Sequence, residues 1–259
     1  MPRPALLVFT DLDGTLLDHE DYSHTAAEPA LARLRAAGVP VILASSKTAA
    51  EIAPLREDLR LSAHPAIVEN GAGILEAGEA APENGGSYAA LRAALDRVPA
   101  GLRAQFRGFG DCDVAEIARR TGLPESQAAL AAKRLHSEPG VWSGDEAGKA
   151  AFVEALRAVG VAAREGGRFL TLSFGGTKAG RMAEIAGRHS TPFVVALGDA
   201  PNDREMLEQA DLGFVIANPH RPPLPPLAGE DRGHILRIDA PGPKGWNAAM
   251  ERVISEFGI

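Results

Sequence analysis

Val8 to Asp18 reads VFTDLDGTLLD, and the reading of this stretch decides the fold. Its apolar start extends back through ALLVFTD, Ala5 to Asp11, and closes on acidic turn residues. Such a short apolar run reads as a strand buried on both faces. The stretch also crowds three aspartates, Asp11, Asp13 and Asp18, into eight positions. Residues two apart in extended chain face the same way, so Asp11 and Asp13 can flank one ligand, and Gly14 lets the backbone turn sharply behind them. Carboxylates this close repel unless a cation lies between them.

Outward from this strand the same pattern repeats. AAEPALARLRAAGVP carries Ala30, Leu31, Leu34 and Ala37 at helical spacing and stops at Gly38. PVILAS, Pro40 to Ser45, is a second buried strand. KTAAEIAPLREDLRL then begins a helix in which Thr48 and Glu51 have the spacing of a capping box. PAIVENGAGI is a third strand meeting an Asn-Gly turn. Strands and helices joined by short connections imply right-handed crossovers, hence an α/β fold with a Rossmann-like, doubly wound parallel sheet.

The middle of the chain has another texture. From Glu76 to Gly86 it is rich in Gly, Ala, Glu and Pro, as a linker entering an insertion would be. The helix SYAALRAALDRV follows, then two short helices parted by Gly122 and Pro124, then the helix DEAGKAAFVEALRAVG. RFLTLSF, Arg168 to Phe174, alternates like a half-exposed strand. The buried-strand signature returns in PFVVALGD and LGFVIAN. The expected organisation is a core from residues 1–80 and 176–259, with an α+β cap from 81–175 inserted between its halves. The proline-dense RPPLPPLAGED is expected to be a surface loop.

Bulk properties narrow the function. The chain has 259 residues, 45% hydrophobic and 24% charged, as in ordinary soluble globular proteins. Lys+Arg 27 against Asp+Glu 34 gives a net charge of −7, which argues against nucleic acid or anionic membrane as partner. Cys112 is the only cysteine, so neither an intramolecular disulfide nor a cysteine-held zinc site can form. With no export signal and no long uncharged apolar run, the expected location is the cytoplasm. The oligomeric state is not readable.

In an open parallel sheet, ligands bind beyond the carboxyl ends of the strands. Asp11 and Asp13 follow the first strand, Ser45 the second, Asn70 the third, and Asp199, Asn202 and Asp203 the fourth. Asp11, Asp13 and Asp199 are oxygen ligands suited to Mg²⁺. With the ion bound, Asp11 can attack phosphorus while Asp13 moves protons, and Lys178 and the Ser45 hydroxyl can hold the transferred group. Each motif alone also has a plain structural reading. DLDGT can be a turn with a threonine cap, GDAPND a loop whose Asn202 or Asp203 caps a helix, Ser45 a loop residue, and Lys178 a solvated helix lysine. Their joint order favours the chemistry. The seven histidines have no ligand spacing, no G-x-S-x-G occurs, and GGTKAG is not a Walker loop.

DLDGT, Ser45 in ILASSK, Lys178, and GDAPND resemble the four motifs of the haloacid dehalogenase phosphatase superfamily. The cap position resembles the subclass that inserts its specificity domain between the second and third motifs. VFTDLDGTLLDHEDYS, VPVILASSKTAAEI, IVENGAGI, EIARRTGLPESQA, GGRF and APGPKGW are similar to stretches of the mannosyl-3-phosphoglycerate phosphatase family, in its order. Two departures are Ala179, where a glycine is usual, and HSEPGVWSGDE, which follows the family loosely.

The resemblance implies a Mg²⁺-dependent phosphatase acting on a small phosphorylated glycosyl glycerate, releasing mannosylglycerate and phosphate. Glucosyl-3-phosphoglycerate, another sugar phosphate, a phosphomutase reaction and non-catalytic binding of a phosphorylated metabolite are the alternatives. Asp11, Asp13 through its backbone carbonyl, Asp199 and Asp203 would serve the metal site, and Asn202 would orient the phosphate. Lys47 and Asn70 would face the substrate. Arg168 would take its carboxylate, since a guanidinium binds carboxylates bidentately. Lys47 as a solvated helix-start lysine and Arg168 as a plain surface arginine are equally open.

Overall fold

β1 (Leu6–Thr10) is buried along its whole length. Its side chains alternate between two apolar clusters, Leu6 and Val8 on one face, Leu7 and Phe9 on the other. A strand needs apolar side chains at every position only when it is covered on both sides. The structure is a computed structural model that describes residues 5–166 and 168–259. Residues 1–4, and Gly167 of the GGRF stretch, lie outside the described residues.

After β1 come α1 (Glu28–Ala36), β2 (Val41–Ala44), α2 (Ala49–Asp58), β3 (Ala66–Val68) and β4 (Gly73–Leu75). The expected boundary residues behave as read: Gly38 takes φ +69° after α1. Thr48 and Glu51 form a reciprocal capping box, with the Thr48 amide donating to Glu51 Oε2 at 2.8 Å and the Glu51 amide to Thr48 Oγ1 at 3.1 Å. Ala37 departs from the expected helical face, because it lies exposed at the C-cap of α1.

Next follow α3 (Tyr88–Leu95), α4 (Ala100–Arg103), β5 (Phe106–Gly108), α5 (Val114–Thr121), α6 (Glu125–Ala131), β6 (Ser137–Trp142), α7 (Glu146–Ala158), β7 (Ala162–Gly166) and β8 (Phe169–Ser173). The chain ends with α8 (Lys178–Ala186), β9 (Phe193–Gly198), α9 (Arg204–Gln209), β10 (Leu212–Ala217), β11 (Ile235–Pro241) and α10 (Gly242–Phe257).

Two sheets result. The larger has the order β11-β10-β9-β1-β2-β3-β4, and only β4 runs antiparallel to its neighbour. α1, α2 and α10 pack on one face and α8 and α9 on the other, so the fold is α/β and doubly wound. The smaller sheet, β5-β6-β8-β7, is antiparallel. It buries Leu170 and Leu172 of β8 with Phe152 and Leu156 of α7.

Five strands are not apparent in the sequence, among them β4, which lies beyond the Asn-Gly turn. β6 contains Pro139 and Gly140, a pair that commonly marks a turn, yet both pair within the sheet, and at Gly140 the Phe106 ring fills the space a side chain would need. β7 and β11 are half-exposed, and β5 is short. RPPLPPLAGED is an irregular segment, but it is anchored: Leu224 and Leu227 are buried in the sheet face covered by α8 and α9. Cys112 is a half-buried free thiol that donates to the Gly108 carbonyl at 3.3 Å.

The two sheets are joined tightly. Glu69 is buried and accepts from the amides of Leu135 (2.9 Å), His136 (3.2 Å) and Ser137 (2.7 Å) and from Ser137 Oγ (2.7 Å). Arg134 pairs with it at 3.3 Å. Buried Arg56 fixes the outgoing linker by donating to the carbonyls of His64, Glu76 and Glu79. At the return linker, Gly71 (φ +91°) meets the backbone of Thr177 so closely that a Cβ would overlap it.

Gly71→Ala therefore combines a left-handed backbone with a clash and should destabilise the protein by about 3 kcal/mol or more. Gly38→Ala, with φ +69° but open space, should cost only about 1 kcal/mol. Urea unfolding of the two variants measures the difference.

Candidate active site

β1 and β9 lie side by side, and the residues that follow them share one edge of the sheet. Asp11 follows β1 and Asp199 follows β9. Lys178, the first residue of α8, reaches between them: its Nζ donates to Asp11 Oδ1 at 2.6 Å and to Asp203 Oδ1 at 2.7 Å. Thr177 caps α8 by accepting from the Gly180 amide at 2.9 Å. Asp203 is fixed twice more, because its Oδ2 accepts from the amides of Asp199 (3.2 Å) and Ala200 (3.0 Å). Gly198 is required beneath it, since a Cβ there would meet Asp203 Cβ at 2.5 Å.

Asp199 is held from the other side. Thr15 Oγ1 donates to its Oδ1 at 2.9 Å, Asn218 Nδ2 to its Oδ2 at 2.7 Å, and Arg221 approaches at 3.4 Å. Gly14 (φ +83°) lets the DLDGT turn pass close to both, as a Cβ would come within 2.6 Å of Asn218 Nδ2. Beneath Asp11, buried Trp246 donates to Thr10 Oγ1 (3.0 Å), which donates to the Asp11 carbonyl (2.7 Å).

Asp11, Asp199 and Asp203 each offer an oxygen, all within 4.8 Å of one another, and all three residues are buried. Burial first, then the charges of Asp11 and Asp203, push Asp199 up to about 7. Asp203 rises to about 6, by burial and by Asp11, against the pull of Lys178. Burial works against the Lys178 ammonium, but Asp11 and Asp203 outweigh it and hold its pKa above the ordinary lysine value. One lysine among three hard, converging carboxylates leaves an excess of negative charge, and the donor set fits a divalent cation.

The remaining sequence-derived residues surround this cluster. Ser45 is buried, its Oγ accepts from the Lys47 amide at 3.2 Å, and its carbonyl accepts from the Asn70 amide at 2.8 Å. Glu69, Asn70 and Gly71 are consecutive left-handed residues, which turn the loop after β3 toward the site. Asn202 Nδ2 donates to Asn70 Oδ1 at 3.0 Å. Asp13 directs its carboxylate away from the other three, toward Lys47, with Oδ2 at 2.9 Å from Nζ. Its carboxylate is thus outside the group formed by Asp11, Asp199 and Asp203.

A cavity of about 240 Å³ runs between the sheets, with Asp13, Lys47 and Asn70 on one wall and Phe109, Arg134 and Arg168 on the other. A second of about 240 Å³ reaches Lys178, Thr177 and Asn202, and Asn70 and Thr171 line both. Arg168 is exposed, donating to the Thr121 carbonyl at 2.8 Å and lying over the Phe169 ring. Thr15, Asn218 and Arg221 are additions to the sequence reading. Asn218 follows the strand LGFVIAN and obeys the same strand-end rule that marks Asp199. Thr15 and Arg221 carry no such signal.

The family profile described as haloacid dehalogenase-like hydrolase matches residues 8–96. A curated relative, the glucosyl-3-phosphoglycerate/mannosyl-3-phosphoglycerate phosphatase of Persephonella marina, is 32% identical and covers 97% of this chain and 98% of its own. The chain belongs to the haloacid dehalogenase-like hydrolases. With a phosphatase as its full-length relative, it is a phosphoric monoester hydrolase, and the Asp11–Lys178–Asp199–Asp203 cluster lies at the edge of the sheet where ligands bind in such folds. Two solved structures share its fold. A haloacid dehalogenase-like hydrolase from B. subtilis covers 95% of this chain and 99% of its own (TM-score 0.64, 17% identity). The sucrose-phosphatase of Synechocystis covers 99% of each chain (TM-score 0.60, 14% identity). No helix among the described residues is long and apolar enough to cross a membrane.

The raised acids fix the sign of a pH effect. Folded Asp199 and Asp203 retain protons that the unfolded chain has lost, so stability falls as pH rises from about 4 to about 7. The slope should be at most about 1.4 kcal/mol per pH unit for each retained proton. Melting temperature in excess chelator across this range reads the fall, and saturating divalent cation should flatten it.

Proposed function

We propose that this chain is a Mg²⁺-dependent phosphatase that releases phosphate from mannosyl-3-phosphoglycerate through an aspartyl-phosphate intermediate. The observation that carries the reading is the buried Asp11–Lys178–Asp203 chain beside Asp199, with Lys178 lining a cavity that shares Asn70 and Thr171 with the neighbouring one lined by Lys47, Arg134 and Arg168. A phosphoglycerate brings two anionic groups, and cations at both the phosphoryl and distal ends match it. Glucosyl-3-phosphoglycerate is the second reading, because the curated relative is named for both sugars.

Asp11 Oδ1 is taken by Lys178, which leaves Oδ2 as the nucleophilic oxygen. It attacks phosphorus in line, the bond from phosphorus to the glycerate oxygen breaks, and Asp13 gives that oxygen a proton. Water then attacks the aspartyl phosphate, Asp13 takes its proton, and the Asp11 carboxylate is restored as phosphate leaves. Lys178, the Ser45 hydroxyl and Asn202 hold the phosphoryl oxygens. Asp11, Asp199, Asp203 and the Asp13 carbonyl would hold Mg²⁺, which would neutralise charge on the phosphoryl group. Residues 81–175 act as the specificity cap, with Asn70 and Arg168 facing the substrate across the cavity. Closure over the site keeps bulk water from the intermediate.

Asp11→Asn should reduce phosphate release below detection while leaving the unfolding midpoint close to wild type. A panel of glycosyl phosphoglycerates and simple sugar phosphates, assayed with Mg²⁺, should give the highest kcat/KM on mannosyl-3-phosphoglycerate. Full activity in excess chelator would overturn the metal assignment.

A further inference from the structure

The two oxygens of Asp13 are in unlike states. Oδ2 is paired with Lys47 Nζ at 2.9 Å. Oδ1 is shielded from solvent and has no hydrogen-bond partner among the described residues. A buried carboxylate oxygen left unpaired is costly and rare, and it marks a position that another group fills.

Lys47 itself is tightly placed. Its amide donates to Ser45 Oγ and its carbonyl accepts from the Glu69 amide at 2.9 Å, so its backbone is bound to the phosphate-side loop and to the junction between the sheets. Its ammonium lies 5.3 Å from the Tyr22 ring centroid, on the DLDGT side of the cavity. Burial opposes its charge, but Asp13 and then Glu51 outweigh this and keep it protonated. An ammonium held in this way has little reach left for a ligand.

We propose that Lys47 is a positioning residue for the proton-transfer step, rather than a contact to the substrate's carboxylate. By binding Oδ2 it fixes the Asp13 side-chain torsion and leaves Oδ1 as the oxygen that carries the proton to the leaving group. This rests on the phosphatase reading given above. Its physical content is orientational: a general acid contributes about 10²- to 10⁴-fold only when its proton lies within hydrogen-bond reach of the departing oxygen.

The test is a comparison of leaving groups in kcat/KM, which reports phosphoryl transfer to Asp11. Wild type, Lys47→Met and Lys47→Arg are assayed on p-nitrophenyl phosphate, glycerol 2-phosphate and 3-phosphoglycerate. The nitrophenolate departs without a proton, the two alkoxides need one, and only the last substrate has a carboxylate. Lys47→Met should lose about 10²-fold on both alkyl phosphates, by loss of the oriented acid, and only a few-fold on the aryl phosphate. Lys47→Arg, which keeps a cation, should recover part of the alkyl loss. A loss confined to 3-phosphoglycerate would overturn the proposal in favour of substrate binding. An equal loss on all three substrates would overturn it in favour of a structural role. If wild type hydrolyses none of them or any glycosyl phosphoglycerate, the phosphatase reading itself fails, a result distinct from either.

Discussion

Three carboxylates converge at the sheet edge with a single ammonium among them, and most of the surrounding structure follows from keeping that arrangement in place. Buried like charges would separate if their surroundings were soft, and holding them together raises the proton affinity of Asp199 and Asp203. Here each is tied. Asp11 is held through Lys178, Asp203 by two backbone amides and Lys178, and Asp199 by Thr15 and Asn218. Gly14 and Gly198 remove the side chains that would keep these groups apart. The doubly wound sheet supplies the rigid frame, since adjacent parallel strands deliver Asp11 and Asp199 to the same edge.

The core was legible because a strand covered on both faces leaves a continuous apolar run, and the residue after each run falls at the ligand edge. That rule leads from the sequence to Asp11, Ser45, Asn70 and Asp199, and equally to Asn218, which sits after β10 and went unread. The antiparallel sheet was harder to see. Its strands are covered on one side only, and β6 carries Pro139 and Gly140 in its interior, the glycine where the neighbouring Phe106 ring takes the space of a side chain. Glu69 and Lys47 show a different limit. Nothing in ENGAG or SSK says which distant partner each carboxylate or ammonium meets. Glu69 finds residues 134–137, far along the chain, and Lys47 finds Asp13 across a loop.

The junction between the sheets combines strength and closeness. Glu69 gathers four hydrogen bonds and an arginine at one point, so the smaller sheet is anchored through its β6 side. The Gly71 contact with Thr177 brings the return linker against the same loop. Because Asn70 lies between them and also bonds Asn202, a rotation of the cap about this point would be felt directly beside the site. Ser45 and Lys47 are bonded into that loop as well, which links the phosphate side to the pivot.

The strand order has a consequence for how the molecule comes into being. β1 is the first strand of the chain but lies in the middle of the sheet, with β9 as one neighbour and the α10 tryptophan bonded beneath its last residue. During synthesis the strand that leads to Asp11 leaves the ribosome early and must wait for about three quarters of the polypeptide before its second edge is covered. A nascent chain long enough to have made the entire cap still lacks Asp199 and Asp203. The carboxylate cluster is therefore completed late in translation, well after the strands of the smaller sheet have been made.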